Sequence, residues 1–167
     1  MITPQEILIS KTRGKKRHYS FDLGARGTAT LQYESTFCKN AIVRINDLQW
    51  NFIRKGFWKK ELDIEAQQSP FTKTHIKFGW GNKFTVRGED NNKYLFKAEG
   101  FWRRRYTWYD SAGQKLMEIK SNMFSRSRRG IVTMLQPVSH ELIWLMMIGW
   151  FQLVLWEEQA AVSGAAT

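Results

Sequence analysis

The chain has 167 residues, so one domain spanning 1–167 is the default. Apolar residues make up 43%, enough for a core, and 26 Lys and Arg against 15 Asp and Glu leave a net charge of +11. That balance disfavours cationic partners and favours polyanions, namely nucleic acid, anionic lipid headgroups or an acidic protein, unless it serves only to keep an aromatic-rich chain (8 Trp, 11 Phe, 5 Tyr) in solution. The single cysteine, Cys38, excludes a disulfide framework within the chain and fits a reducing compartment.

The first residues, MITPQEILISKTRGKKR, place their charge after a short apolar piece. A secretory signal has the reverse order and a longer apolar region, so no export is expected and the expected location is cytoplasmic. Arg13, Lys15, Lys16 and Arg17 form the first basic cluster. Cys38 lies in STFCKNAIVRI, which reads as a strand. A nucleophilic cysteine would need a histidine beside it and a depressed pKa, so Cys38 is taken as a small buried hydrophobe. FIRKGFWKK, from Phe52 to Lys60, returns as FKAEGFWRR, from Phe96 to Arg104. Both run Phe, three residues, Gly-Phe-Trp, then two cations. Gly56 and Gly100 suit a hairpin or bulge with positive φ, and the echo suggests two related halves, each a small antiparallel sheet. A repeated turn is a simpler account of it than a duplicated binding site.

FTKTHIKF reads as a strand, with His75 an ordinary strand histidine. FGWGNKF, EDNNK, DSAG and SRSRRG read as connections. GWGNKFTVRG sets glycines near a lysine but lacks the spacing and following helix of a phosphate loop, so it reads as a hairpin. LFKAEG and QKLMEIK alternate with period two; in the second, Leu116 faces away from Met117 and Ile119. Asp110 opens an Asp-x-x-Gly turn and is expected to cap its own backbone. Strand-sized pieces recur at the short spacing of an antiparallel sandwich or barrel, and no long stretch before Pro137 has helical periodicity.

The most apolar stretch closes the sequence. From Leu142 to Trp156 only Gly149 and Gln152 interrupt a run of large apolar residues. Pro137 marks a boundary, Ser139 suits an N-cap, and Glu141 in the first turn suits the helix dipole. A helix over about 139–158 is expected, with His140 at its start near the surface. The 142–156 run spans roughly 22 Å, short of a hydrocarbon core of about 30 Å, yet an N-terminally flanked tail anchor is a reading to be weighed. A helix apolar on all sides must be surrounded, by lipid or by protein. Trp144, Ile148, Phe151 and Leu155 form one face and Leu145, Trp150 and Leu153 cover others; all are expected in the core.

A β-barrel wide enough to hold a helix would surround it. The stretch KFTVRGEDNNKYLFKAEGFWRRRYTWYDSAGQKLMEIKSNMFSRSRRGIVTM, followed by the apolar helix, resembles the tubby C-terminal-like superfamily, which includes the LURP-one-related proteins and phospholipid scramblases. The Tyr-Asp-x-x-Gly-x-x-Leu-x-x-Ile element from Tyr109 to Ile119 is the most family-like piece. The resemblance covers Lys83 to Trp156. It implies a mainly β protein: a closed antiparallel barrel of two similar halves with the hydrophobic C-terminal helix through its centre. Tubby's phosphoinositide binding makes phosphate-bearing lipid the favoured anion by analogy of fold. No tubby ligand residue, scramblase activity or calcium site carries over.

His18, His75 and His140 are scattered without metal spacing, and no paired catalytic groups are visible. No enzymatic activity, cofactor or small-molecule substrate is expected. The features with a sharp functional reading are basic clusters beside aromatics. Lys59 and Lys60 follow Trp58, Arg103, Arg104 and Arg105 follow Trp102, and Arg126, Arg128 and Arg129 precede the last strand signal. These eight are the candidate anion-binding residues. Cations near an anionic membrane contribute about 1 kcal/mol each, and a peripheral membrane partner is the first expectation. Nucleic acid stacked on the same aromatics is the alternative. Cations around one end of a barrel would favour the membrane; exposed aromatics along one basic groove would favour nucleic acid.

Overall fold

The computed structural model describes residues 4–15, 17–34, 40–55, 60–67, 74–79, 81–88, 91–100, 105–122 and 128–165, with the backbone alone for Arg128 and Ala165. Twelve strands are followed by one long helix. The strands are β1 (Gln5–Lys11), β2 (His18–Asp22), β3 (Thr28–Tyr33), β4 (Asn40–Ile45), β5 (Leu48–Lys55), β6 (Glu61–Ala66), β7 (Thr74–Lys77), β8 (Lys83–Arg87), β9 (Lys93–Glu99), β10 (Arg105–Tyr109), β11 (Lys115–Ser121) and β12 (Arg128–Met134). The helix is α1 (His140–Ala165).

All twelve strands belong to one sheet, in the order β7-β6-β5-β4-β3-β2-β1-β12-β11-β10-β9-β8. Each strand pairs with a chain neighbour except at one place, where β1 lies antiparallel to β12 with Gln5 opposite Met134. That pairing of the two chain-distant strands joins the halves and curls the sheet into a mainly β, nearly closed barrel. The edges are β7 and β8; Phe78 and Phe84 meet edge to face across them with ring centroids 4.8 Å apart. Full closure, expected from the sequence, stops at these short edge strands.

The repeated sequence occupies equivalent places. β5 ends at Lys55 and β6 begins at Glu61, while β9 ends at Glu99 and β10 begins at Arg105. Both copies therefore run off a strand into a connection of the same length. Phe52 and Phe96 sit fully buried before the turn, and Gly100 has φ +79°. Gly56 and Cys38 lie outside the described residues. Asp110 does cap its own turn, accepting hydrogen bonds from the amides of Ala112 at 2.9 Å and Gln114 at 2.8 Å. SRSRRG is only partly a connection: Arg128 to Gly130 open β12, because pairing of Gly130 with Ile9 and Ser121 overrides its turn-like composition.

α1 begins where expected, with the Leu142 amide donating to Ser139 Oγ at 3.2 Å. It continues about two turns beyond the expected end, through Ala165. The strands enclose it. Trp150 packs edge-on to Tyr19 and Phe21 of β2. Phe151 stacks on Tyr33 of β3 and meets Phe52 of β5. Trp156 stacks on Phe96 and Tyr106 from β9 and β10. Ile148, Phe151, Leu155, Leu145, Trp150 and Leu153 are buried. Trp144 is the exception: it packs on the core but stays partly exposed, because it lies near the barrel mouth in the second turn of the helix. The surface that 142–156 would offer lipid as an anchor is thus covered by strands. No helix among the described residues is long and apolar enough to cross a membrane.

Candidate functional site

Antiparallel connectivity sorts the connections between the two ends of the barrel. β12 delivers the chain to α1 through residues 135–139, so the helix enters at the Met134 end. It leaves at the Arg128 end, where β1 finishes, since Ser10 lies opposite Arg128. Connections β1–β2, β3–β4, β5–β6, β7–β8, β9–β10 and β11–β12 all fall at this exit end. The remaining connections, and the segment leading into the helix, fall at the entry end.

The charge divides along the same line. Among the described residues, the exit-end connections hold four cations, Arg13, Lys15, Arg17 and Lys60. One acid, Glu34, opposes them. The described entry-end connections hold one cation, Arg26, against Asp47 and Asp110. A chain that is merely basic overall becomes polarised by its topology. His18, at the exit end, responds to it: burial lowers its pKa first, and the charges of Lys15 and Arg44 lower it further.

The described members of the basic clusters, Arg13, Lys15, Arg17, Lys60, Arg105 and Arg129, lie at the exit end. Of the eight candidate residues, Lys59, Arg103, Arg104 and Arg126 lie outside the described residues, and Arg128 is described by its backbone. Lys60 and Arg105 flank their connections half-buried. Arg105 Nε lies 3.9 Å from Glu118 on the outer face of β11, which spends part of its charge within the fold. Arg129 lines a recess beside the helix.

Sequence reasoning missed what points inward at the rim. On β1 the inward positions Ile7 and Ile9 lead in phase to Lys11. Phe21 and Tyr19 lead back along β2 to Arg17, and Met117 and Ile119 lead along β11 to Ser121. The alternation that fills the barrel with apolar side chains thus ends in polar ones where the wall meets solvent. Together with Arg129, Trp150, Val154, Glu157 and Glu158, these residues line a recess of about 160 Å³. Arg17 pairs with Glu158 at 3.3 Å, and Ser121 Oγ donates to the buried carboxylate of Glu157 at 2.8 Å. Burial raises the Glu158 pKa, with Arg17 opposing. Opposite them Arg54, in phase with Trp50 and Phe52, lies over the rings of Phe78 and Phe151. Burial pushes its pKa down to about 10, which leaves it charged at neutral pH.

Other polar groups have structural uses. His75 is a strand histidine of β7, as expected; its Nδ1 hydrogen-bonds the buried Asp63 at 2.6 Å, and Lys55 Nζ meets the other Asp63 oxygen at 2.6 Å. At the entry end Asp110, Glu141 and Ser139 line a recess of about 260 Å³, two of them committed to capping. Among the described residues no group of three His, Cys, Asp or Glu could hold a metal ion. Compared with protein-family models, curated proteins and solved structures, the chain matches none.

Proposed function

We propose that the protein is a non-enzymatic, tubby-like barrel that docks end-on, by the end where its helix exits, against an anionic membrane surface. The observation that carries this reading is the division of charge between the two ends: among the described residues, a formal +3 in the exit-end connections (Arg13, Lys15, Arg17 and Lys60 against Glu34) and −1 in the others (Arg26 against Asp47 and Asp110). A surface that attracts a planar array of headgroups works best when its cations share one end, since each contributes within a Debye length of about 8–10 Å. The sequence also sets two Gly-Phe-Trp triplets directly before paired cations. Trp beside Arg and Lys is the composition that sits at a headgroup layer, the ring in the interface and the cation toward phosphate.

The test compares the ends. Replacing Arg13 and Lys15, both exposed at the exit end, with Gln should weaken co-sedimentation with phosphatidylserine-containing vesicles by roughly thirtyfold, at about 1 kcal/mol per cation. Replacing Arg26, Arg87 and Lys93, exposed at the entry end, should change it little. Equal losses from both sets would reduce the charge to a general attraction. Tight single-stranded RNA binding at matched salt with no vesicle binding would replace the membrane with nucleic acid.

A further inference from the structure

The recess beside the emerging helix gathers opposite charges in one small concavity. Lys11, Arg17 and Arg129 supply three cations, and Glu157 and Glu158 two carboxylates. We infer that this recess takes a terminal phosphate group, with Arg17 and Arg129 as its guanidinium donors and Glu158 as the carboxylate it competes with. The inference deepens the membrane reading and rests on it for a lipid source of the phosphate.

Size narrows the ligand. At about 160 Å³ the recess is smaller than the roughly 300–1,000 Å³ of ordinary small-molecule sites, so it suits one compact group and not a whole metabolite. Concavity narrows it further. A phosphate within a choline or serine headgroup is flanked by ester carbons on both sides, whereas a monoester presents three oxygens at its tip. Charge agrees: the recess itself sums to +1, and exposed Arg13 and Lys15 in the connection carrying Arg17 add two more cations. A phosphomonoester carries about −1.5 to −2 near neutrality. The planar guanidinium fork matches phosphate oxygens bidentately. Tyr19 on the same walls adds a hydroxyl to a site backed by Trp150 and Val154.

Glu158 supplies the discriminating feature. Its ion pair with Arg17 occupies the donor that the phosphate needs, so the carboxylate acts as an internal stand-in for the ligand. Removing one cation and removing this acid should then change affinity in opposite directions. General destabilisation would weaken both variants alike.

The experiment titrates inorganic phosphate into the intact protein while following the Trp150 indole and Ser121 amide resonances. In parallel it measures binding to phosphatidylcholine vesicles doped with phosphatidic acid or phosphatidylserine at equal surface charge. Phosphate should shift both resonances. Arg129→Gln should weaken that response roughly tenfold, about the worth of one charge-assisted hydrogen bond, and Glu158→Gln should strengthen it. Lys11→Gln repeats the loss from a side chain at the strand end should Arg129→Gln fold poorly. A preference for phosphatidic acid vesicles that Arg129→Gln abolishes identifies a lipid headgroup as the source. Shifts with phosphate but no vesicle binding support a soluble phosphate ester and sink the membrane reading alone. Unmoved resonances with equal binding to both vesicles overturn the phosphate site and leave end-on docking by charge alone.

Discussion

Gly149 sets how closely the helix lies against the strands. A methyl group there would sit 2.7 Å from Trp108 Nε1, 2.9 Å from Phe96 Cε2 and 3.2 Å from Ile119 Cδ1. Gly149→Ala should cost about 1–3 kcal/mol through overpacking, despite alanine's better helix propensity. A thermal melt checks it: for a chain of this size each kcal/mol lowers the midpoint by roughly 2–4 °C. An unchanged melt would mean the helix is seated more loosely. His18 makes a second prediction at this scale. Its folded pKa is held below 6.5 by burial and then by Lys15 and Arg44, so the unfolded chain takes up the proton first as pH falls. The stability that neutral His18 contributes is complete above about 6.5 and is lost as pH drops through the lowered folded value. His18→Gln should therefore flatten the decline in urea midpoint between neutral and mildly acidic pH. A ring titration above 6.5 in the folded protein would reverse the sign.

The helix is an element with two unlike parts. Leu142 to Leu155 supplies the filling of the barrel, while Gln159 to Gly164 is exposed, with Val162 at 72%. Ending the chain after Pro137 should abolish cooperative folding. Each Leu- or Phe-sized side chain buried is worth about 1.5–3 kcal/mol, and net stability is only about 5–15 kcal/mol. Ending it after Glu158 should move stability by less than about 0.5 kcal/mol, since the described side chains beyond it, Gln159 to Gly164, are exposed. Circular dichroism melts of both truncations separate a structural core from an appendage. The apolar run was plain in the sequence because nothing polar but Gln152 breaks it. The extra two turns were not, because QAAVSGA lacks the apolar periodicity by which a helix is recognised, and only its continuity with a packed segment keeps it helical. The turn at Gly100 was legible for the opposite reason: its φ of +79° favours glycine, and that glycine stands in the sequence.

At the scale of the whole molecule, the barrel hangs on one long-range pairing and one unsealed seam. β1 and β12, the first and last strands of the chain, pair with each other, so folding should be slow for a domain of this size, in line with its non-local contacts. The seam lies between β7, four residues long, and β8, five residues long. Amide exchange should be fastest there and slowest in β1 and β12, whose partners flank them on both sides. Uniform protection around the barrel would show that side-chain packing across Phe78 and Phe84 seals the seam as well as backbone pairing does.

By itself the sequence determined the local chemistry: period-two strands, the capped Asp110 turn, the Ser139 helix start and a helix that had to be surrounded. These follow from residues within a few positions of one another, where propensity and periodicity act. The basic clusters were visible too, yet as separate stretches with no common location. Only the tertiary structure set their described members, Arg13, Lys15, Arg17, Lys60, Arg105 and Arg129, at one end, because antiparallel strands send every second connection there. It also decided which cations turn inward. Lys11 and Arg54 look like ordinary surface charges until the phase of Ile9 or Phe52 carries them to the rim, where the barrel wall ends and a buried stem can still bring its charge to water.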